Sequence, residues 1–301
     1  MAGKKDKKNR EDLMIGGQAV IEGVMMRTKD TYAVAVRNKR RGITVQKQKF
    51  HSATHKSSIL RLPLLRGMVM LFETMILGIK ALNFSASMEF ENEIPSKKDL
   101  EKGILLTMIL SFIFAIALFK FLPLLVASLS TRIIGESNIL FNVVDGVTKL
   151  AILIAYLLAI SFMPDVKRLF QYHGAEHKSV ACYEDKKKLT PENVKKYKKE
   201  HARCGTSFIM IVIFLSILIY LFIPMATGFW AKLGLRVLLL PVIAGTSYEV
   251  IHLSGKHDNW LTRSLVYPGI LVQRLTTKEP DKKQIEVAIA SLKAAVGRKD
   301  I

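Results

Sequence analysis

The chain has 301 residues, half of them apolar, with 45 Lys or Arg against 25 Asp or Glu and a formal charge of +20. Apolar runs beside basic blocks are the composition of a membrane protein with charged loops. Two cysteines are too few for a disulfide framework, and the Walker A, GxGxxG and GxSxG patterns of nucleotide and serine-hydrolase sites are absent.

Residues 1–12 form a Lys/Asp/Glu tail, expected to be disordered, and Met1 to Arg10 lacks the apolar stretch of a cleavable signal peptide. Residues 13–58 change to a period of two and are expected to form a cytoplasmic β-rich region. Ala19–Ile21, Tyr32–Val36 and Ile43–Val45 read as three short strands, with a turn over Asn38–Gly42. Glu22, between glycines, reads as a solvated turn residue.

Residues 59–102 read as an interfacial or re-entrant helix, or one packed inside the bundle, followed by an acidic linker. Pro63, Arg66, Gly67, Glu73, Gly78 and Lys80 interrupt the apolar run, and a lipid-exposed Glu73 would cost several kcal/mol. Four better spans follow in two pairs, 103–129 with 139–163, and 206–228 with 233–253. Each exceeds the length needed to cross about 30 Å of hydrocarbon. The blocks 1–61, 164–205 and 254–301 hold 15, 11 and 9 of the basic residues. The positive-inside rule then puts both termini and the central loop in the cytoplasm, which four crossings satisfy. Within the spans, Asp145 and Lys149 read as a self-neutralising pair, and Lys120 is expected to snorkel outward. After the last span, Asp281 is predicted to cap a helix over 282–296, with Gln284 at the capping-box position and Ile285, Ile289, Leu292 and Val296 as its apolar stripe. The fold class is thus an α-helical polytopic membrane protein with a small cytoplasmic β-containing N-terminal region.

The central loop, 164–205, carries the chemistry. Pro164 starts a predicted helix on which Val166, Phe170, His173, His177 and Val180 form one stripe. Imidazoles at i and i+4 can bind one transition metal. His173-x-x-Glu176-His177 has the inverted zinc-peptidase order, in which the histidines ligate and the Glu is the general base. His201 and Cys204 fall at the start of the third span, where the positive helix end and Arg203 favour negative charge on sulfur. Glu249 falls at the same end of the fourth span and is a candidate acidic ligand. Cys182 reads as a structural thiol.

The blocks Gly16-Gly-Gln-Ala-Val-Ile-Glu-Gly-Val-Met-Met-Arg27, Tyr172-His-Gly-Ala-Glu-His-Lys178, His201-Ala-Arg-Cys-Gly-Thr-Ser-Phe208 and Gln273-Arg-Leu-Thr-Thr-Lys-Glu-Pro280 resemble the signature blocks of the YqhQ-like bacterial membrane proteins. The resemblance runs from about Leu13 to Val296. It implies a multi-pass protein of the bacterial inner membrane and a metal-dependent enzyme, and supplies no substrate. Ala202 departs from the Pro expected there in many relatives and puts no ligand in doubt.

The first expectation is a divalent transition-metal site, zinc or iron(II), at the cytoplasmic face. Its candidate ligands are His173, His177, His201, Cys204 and Glu249, with Glu176 as the general base of a hydrolase. Four ligands complete tetrahedral zinc, so five candidates include at least one that only supports the others. The second is a non-enzymatic scaffold whose Lys186–Lys188 and Lys195–Lys199 patches hold anionic lipid or a cytoplasmic partner. Nucleic acid is not expected, because the patches lack aromatic stacking platforms. A third reading is a metal transporter or redox sensor; against transport, the spans carry few ligands at mid-depth.

Overall fold

The computed structural model describes residues 15–38, 42–55, 57–89, 97–201, 204–256 and 260–297. The tail 1–12, the turn residues 39–41 and most of the acidic linker lie outside the described residues.

Four antiparallel strands in sequential order open the fold: β1 Gly16–Val20, β2 Gly23–Arg27, β3 Thr31–Asn38 and β4 Gly42–Lys49. The sequence reading found three and missed β2. Its first four residues are all buried, so the polar half of the usual alternation is absent. The reason is that the sheet is covered on both faces. Val24, Met26, Ala33 and Ala35 pack on one side against helices described below. Val20, Met25, Tyr32, Val34 and Val36 pack on the other against Leu77 and Ala81 of α1, Leu65–Glu89.

α1 is continuous over 25 residues rather than re-entrant. The awkward Glu73 accepts hydrogen bonds from Ser52 Oγ at 3.0 Å and Ala53 N at 2.6 Å, with Arg27 3.7 Å away. The carboxylate therefore never faces lipid.

α2 (Lys97–Ile116) runs through a π-helical segment, Ala117–Phe121, into α3 (Leu122–Ile134), and α4 spans Asn138–Ser161. Residues Leu105–Ile133 and Asn138–Ser161, 29 and 24 residues long, could each cross a membrane. At 1.5 Å per residue they reach about 43 and 36 Å. Leu106, Ile109, Leu110, Phe112, Ile113 and Phe114 are all more than half or about half exposed, leaving an apolar surface all round the helix that suits lipid contact.

The second expected pair is less regular. α7, Gly205–Tyr220, has 16 residues and gives way to turns over 221–227, where the sequence reading carried a span to 228. It reaches about 24 Å, short of a full bilayer core. α8 (Phe229–Leu238) and α9 (Leu240–Lys256) meet at a 44° bend and count as one span only if taken together. Among the described residues, two helices are thus long and apolar enough to cross a membrane, or three with the bent pair, where four were expected.

α10, Trp260–Thr276, was missed, since Pro268 and two arginines disguise its periodicity. It packs along α7. Lys120 was expected to snorkel outward. It is instead buried, because Tyr220 gives its ammonium an acceptor inside the bundle at 2.9 Å.

α5, Pro164–Glu184, the short α6, Pro191–Lys195, and α11, Lys282–Val296, complete the sheet domain. α11 begins with a full capping box: Asp281 Oδ1 accepts from Gln284 N at 2.8 Å and Gln284 Oε1 accepts from Asp281 N at 2.9 Å. Its Ile285, Ile289 and Leu292 share one core with Tyr172, Ala175 and Val180 of α5 and with the sheet. Three segments distant in sequence thus fold as one body.

Candidate metal centre

α5 holds the site. Pro164 occupies its first turn, where a missing N–H costs nothing, and Asp165 sits beside it near the positive helix end. From Gly174 to Val180 every residue is buried. The sheet, α11 and the segment 277–280 close around this stretch.

Ligand atoms from His173, His177 and Cys204 lie within 4.8 Å of one another. Cys204 Sγ is 3.3 Å from His173 Nε2. The imidazoles are i,i+4 neighbours on one helical face, with ring centroids 4.4 Å apart. Cys204 is the residue that begins α7, in extended backbone at φ −90°, ψ 154°. That places the thiol at the positive end of an apolar helix.

The far nitrogen of each ring is tied down. His173 Nδ1 lies 2.9 Å from the Thr276 carbonyl oxygen, and His177 Nδ1 lies 2.5 Å from that of Lys199. A carbonyl oxygen only accepts, so each Nδ1 carries the hydrogen and each Nε2 presents its lone pair to the cluster. This is the backbone support that metal-binding histidines need.

Glu176 points into the same space, its Oε2 3.9 Å from His173 Nε2 and 3.7 Å from His177 Nε2. Burial pushes its carboxyl above the ordinary value, against the pull of His173 and His201. Burial likewise pushes His177 below its ordinary value and favours the neutral, ligating imidazole. Room for Glu176 comes from Gly17 on β1, where an added Cβ would fall 2.6 Å from Glu176 Cγ.

A cavity of about 100 Å³ opens between these groups, lined also by His201, Ile15 and Gly16. His201 is thus near, with its ring centroid 5.7 Å from that of His177, but its Nε2 faces Glu184 Oε2 at 3.4 Å. Its backbone is clamped by Gln273, which accepts from His201 N and donates to His201 O, both at 2.8 Å. Arg203 lies outside the described residues.

Glu249 does not join the group. Its two carboxylate oxygens take the guanidinium of Arg66, at 3.2 Å for the Nε contact, so the acidic ligand anticipated from the sequence is engaged elsewhere. Arg66 sits at the start of α1, a helix whose packing against α9 could not be read from the chain order. Glu22 is a second correction. It turns the β1–β2 hairpin at φ 51° and is no solvated residue: it pairs with Arg168, at 2.5 Å for one contact, and accepts from Tyr172 Oη at 3.2 Å. The pair locks the hairpin to α5.

The segment 276–280 ends the Gln273–Pro280 block. It proves to be a strap over α5, with Lys278 N donating to Phe170 O at 2.9 Å, and with Glu279 paired to the buried Lys178. Lys199 Nζ donates to Thr277 O at 3.1 Å, joining the strap to the loop that supports His177.

Apolar helices able to cross a membrane, a helix-covered sheet and a His/His/Cys cluster that could hold a metal define a membrane-type helical protein with a candidate metal centre. The family model described as "Protein of unknown function (DUF1385)" matches residues 62–298, and the chain belongs to that family. The uncharacterized protein YqhQ of Bacillus subtilis (strain 168) is 37% identical over 288 residues, covering 92% of this chain and 90% of that protein. No solved structure matches.

Proposed function

We propose that the chain is a multi-pass protein of the bacterial inner membrane with a divalent transition-metal site at its cytoplasmic face, working as a metal-dependent hydrolase. The observation that carries the reading is the triad itself: His173, His177 and Cys204 converge within 4.8 Å. Both imidazoles are pre-set by backbone carbonyls to offer Nε2. Two nitrogens and one sulfur suit zinc, with iron(II) next. Three protein donors leave a fourth tetrahedral position for water or substrate, the pattern of catalytic rather than structural zinc.

A bound divalent ion supplies Lewis-acid chemistry at the site. Glu176, beside but outside the triad, would take a proton from the attacking water and return it to the leaving group. Its raised affinity for protons suits that exchange. The cavity of about 100 Å³ admits a small reacting group rather than a whole substrate. His201, paired with Glu184, would orient what enters.

A shared core supports the four-span, cytoplasmic-termini topology. The sheet, α5 and α11 form one body, so an even number of crossings separates each from the next. α2–α3 and α4 supply the first two; α7 and the bent α8–α9 pair would supply the others.

Exposed Lys186, Lys187 and Lys188 favour a second reading, in which the domain docks on anionic lipid and the metal is structural. Metal analysis decides the main point. Purified wild type should hold about one equivalent of transition metal and His177→Ala none, since one clustered site is all these donors furnish. Metal-free wild type from metal-replete cells would refute the proposal.

A further inference from the structure

A second polar cluster lies far from the triad, inside the helical bundle. Lys120, Asn142, Asp145, Lys149, Tyr220 and Arg236 are all at most 7% exposed. Asp145 accepts from Lys149 through Oδ2 and from Arg236 Nη1 through Oδ1, the latter at 2.5 Å. Arg236 Nη2 donates to Asn142 Oδ1 at 3.1 Å. Lys120 Nζ donates to Tyr220 Oη, which donates in turn to Arg236 O at 3.2 Å. All three cations lie over the Tyr220 ring, at 5.5 Å for Lys120, 4.7 Å for Lys149 and 4.6 Å for Arg236.

The charges do not balance. Asp145 is the one carboxylate in these contacts, and both its oxygens are taken, which leaves two positive charges in excess. Lys232, at the rim, bonds Met225 O at 2.8 Å and has Glu136 as its electrostatic counterpart. The donors do not balance either. Arg236 Nε is buried with no hydrogen-bond partner among the described residues, and the residue is 1% exposed. The Lys120 ammonium has three hydrogens and donates to a neutral phenol oxygen. Unmatched cations and donors in an apolar bundle are costly unless something negative joins them. The local backbone is also special: Lys120 sits on the π-helical segment Ala117–Phe121, a rare geometry found often at binding sites.

We infer that this cluster is an anion site, taking a small monovalent ion of halide size. Lys120, Lys149 and Arg236 supply the charge, Arg236 Nε supplies a free donor, and Asp145 fixes two of the cations in place. The crowding of three cations around one ring favours a compact ion over a polyatomic one. A competing outcome is that the lysines shed their protons. Arg236 keeps its charge regardless, but with Lys120 and Lys149 neutral Asp145 would balance it, and no excess positive charge would hold an anion.

The test uses the full chain in detergent, with gluconate replaced by bromide at constant ionic strength. Unfolding is followed by fluorescence of Trp230 and Trp260, and metal content at the triad is read as a check on folding. Wild type should be stabilised saturably by bromide, as a ligand of the native state must do. Lys120→Met should raise the half-saturating bromide concentration by about tenfold or more. In gluconate this variant should be at least as stable as wild type, because a repelling charge is gone. Lys232→Met should respond like wild type. No saturable bromide effect in wild type, or an identical effect in Lys120→Met, overturns the inference. If Lys120→Met fails to fold, the chloride NMR line of wild type decides: broadening reversed by bromide supports the site, and an unbroadened line overturns it.

Discussion

Gly174→Ala tests whether the strap over α5 orients the triad. A Cβ at this position would fall 2.2 Å from Lys278 O and 3.4 Å from Pro280 Cδ. An ordinary Cβ contact begins near 3.4 Å, so the strap would have to retreat by about 1.2 Å. The obstacle is backbone, which cannot rotate away. Overpacking of this kind costs about 1–3 kcal/mol, and weakening the bond from Lys278 N to Phe170 O, now 2.9 Å, adds about 1 kcal/mol. Against that, Ala gains about 1 kcal/mol over Gly inside a helix. The clash wins by roughly 1–3 kcal/mol, a fall of several degrees in Tm for a chain this size. The same retreat draws the Thr276 carbonyl from His173 Nδ1, a bond now of 2.9 Å. Losing such backbone support typically weakens metal binding 10- to 100-fold, by roughly the same factor here. Competition with a chromophoric chelator measures the affinity, and thermal unfolding of the apo protein measures the stability. Gly103→Ala, where nothing among the described residues lies within 4 Å, is the control and should be neutral or stabilising. Unchanged metal affinity in Gly174→Ala would refute the claim that the strap orients His173.

Three further outcomes are expected. Glu249→Gln should keep its full metal content, because its carboxylate serves Arg66; metal loss would restore Glu249 to the ligand set. Glu176→Gln should retain metal and flatten the pH dependence of apo stability. The folded carboxyl sits above its ordinary value of 4.5, so wild type is favoured below that pH and loses stability as pH rises through the folded value; Gln has no proton to lose, and equal pH profiles of unfolding for the two proteins would contradict the assignment. A cysteine at Lys187, with Cys182 and Cys204 replaced, should resist membrane-impermeant thiol reagents in intact cells, and ready labelling from outside would reverse the topology.

Local chemistry made some of this protein legible in one dimension. The α11 helix declares itself through Asp281, Gln284 and a stripe at Ile285, Ile289 and Leu292, all signals within a few residues. His173, Glu176 and His177 share a helical turn, so their meeting needed only the period of the helix. Composition alone also marked the long apolar helices, since crossing a bilayer depends on length and hydropathy and little else.

What needed the tertiary structure was every choice among equals. Three histidines, one cysteine and two glutamates were available to one site. Packing gave His201 to Glu184 and Glu249 to Arg66, because a charged group buried near a partner takes the nearest one regardless of sequence distance. β2 escaped notice because its residues face two apolar layers, which erases the alternation that a strand shows when one face is wet. The third and fourth spans failed as simple rods because regular helix length is set by local turns: α7 stops at Tyr220, and α8 meets α9 at 44°. Asp145 and Lys149 were visible as an i,i+4 pair, but Arg236, 91 residues away, and Lys120 on its π-helical segment were brought to them only by the folding of the bundle. Spacing along a helix fixes which side chains share a face; only the packed chain decides which faces meet.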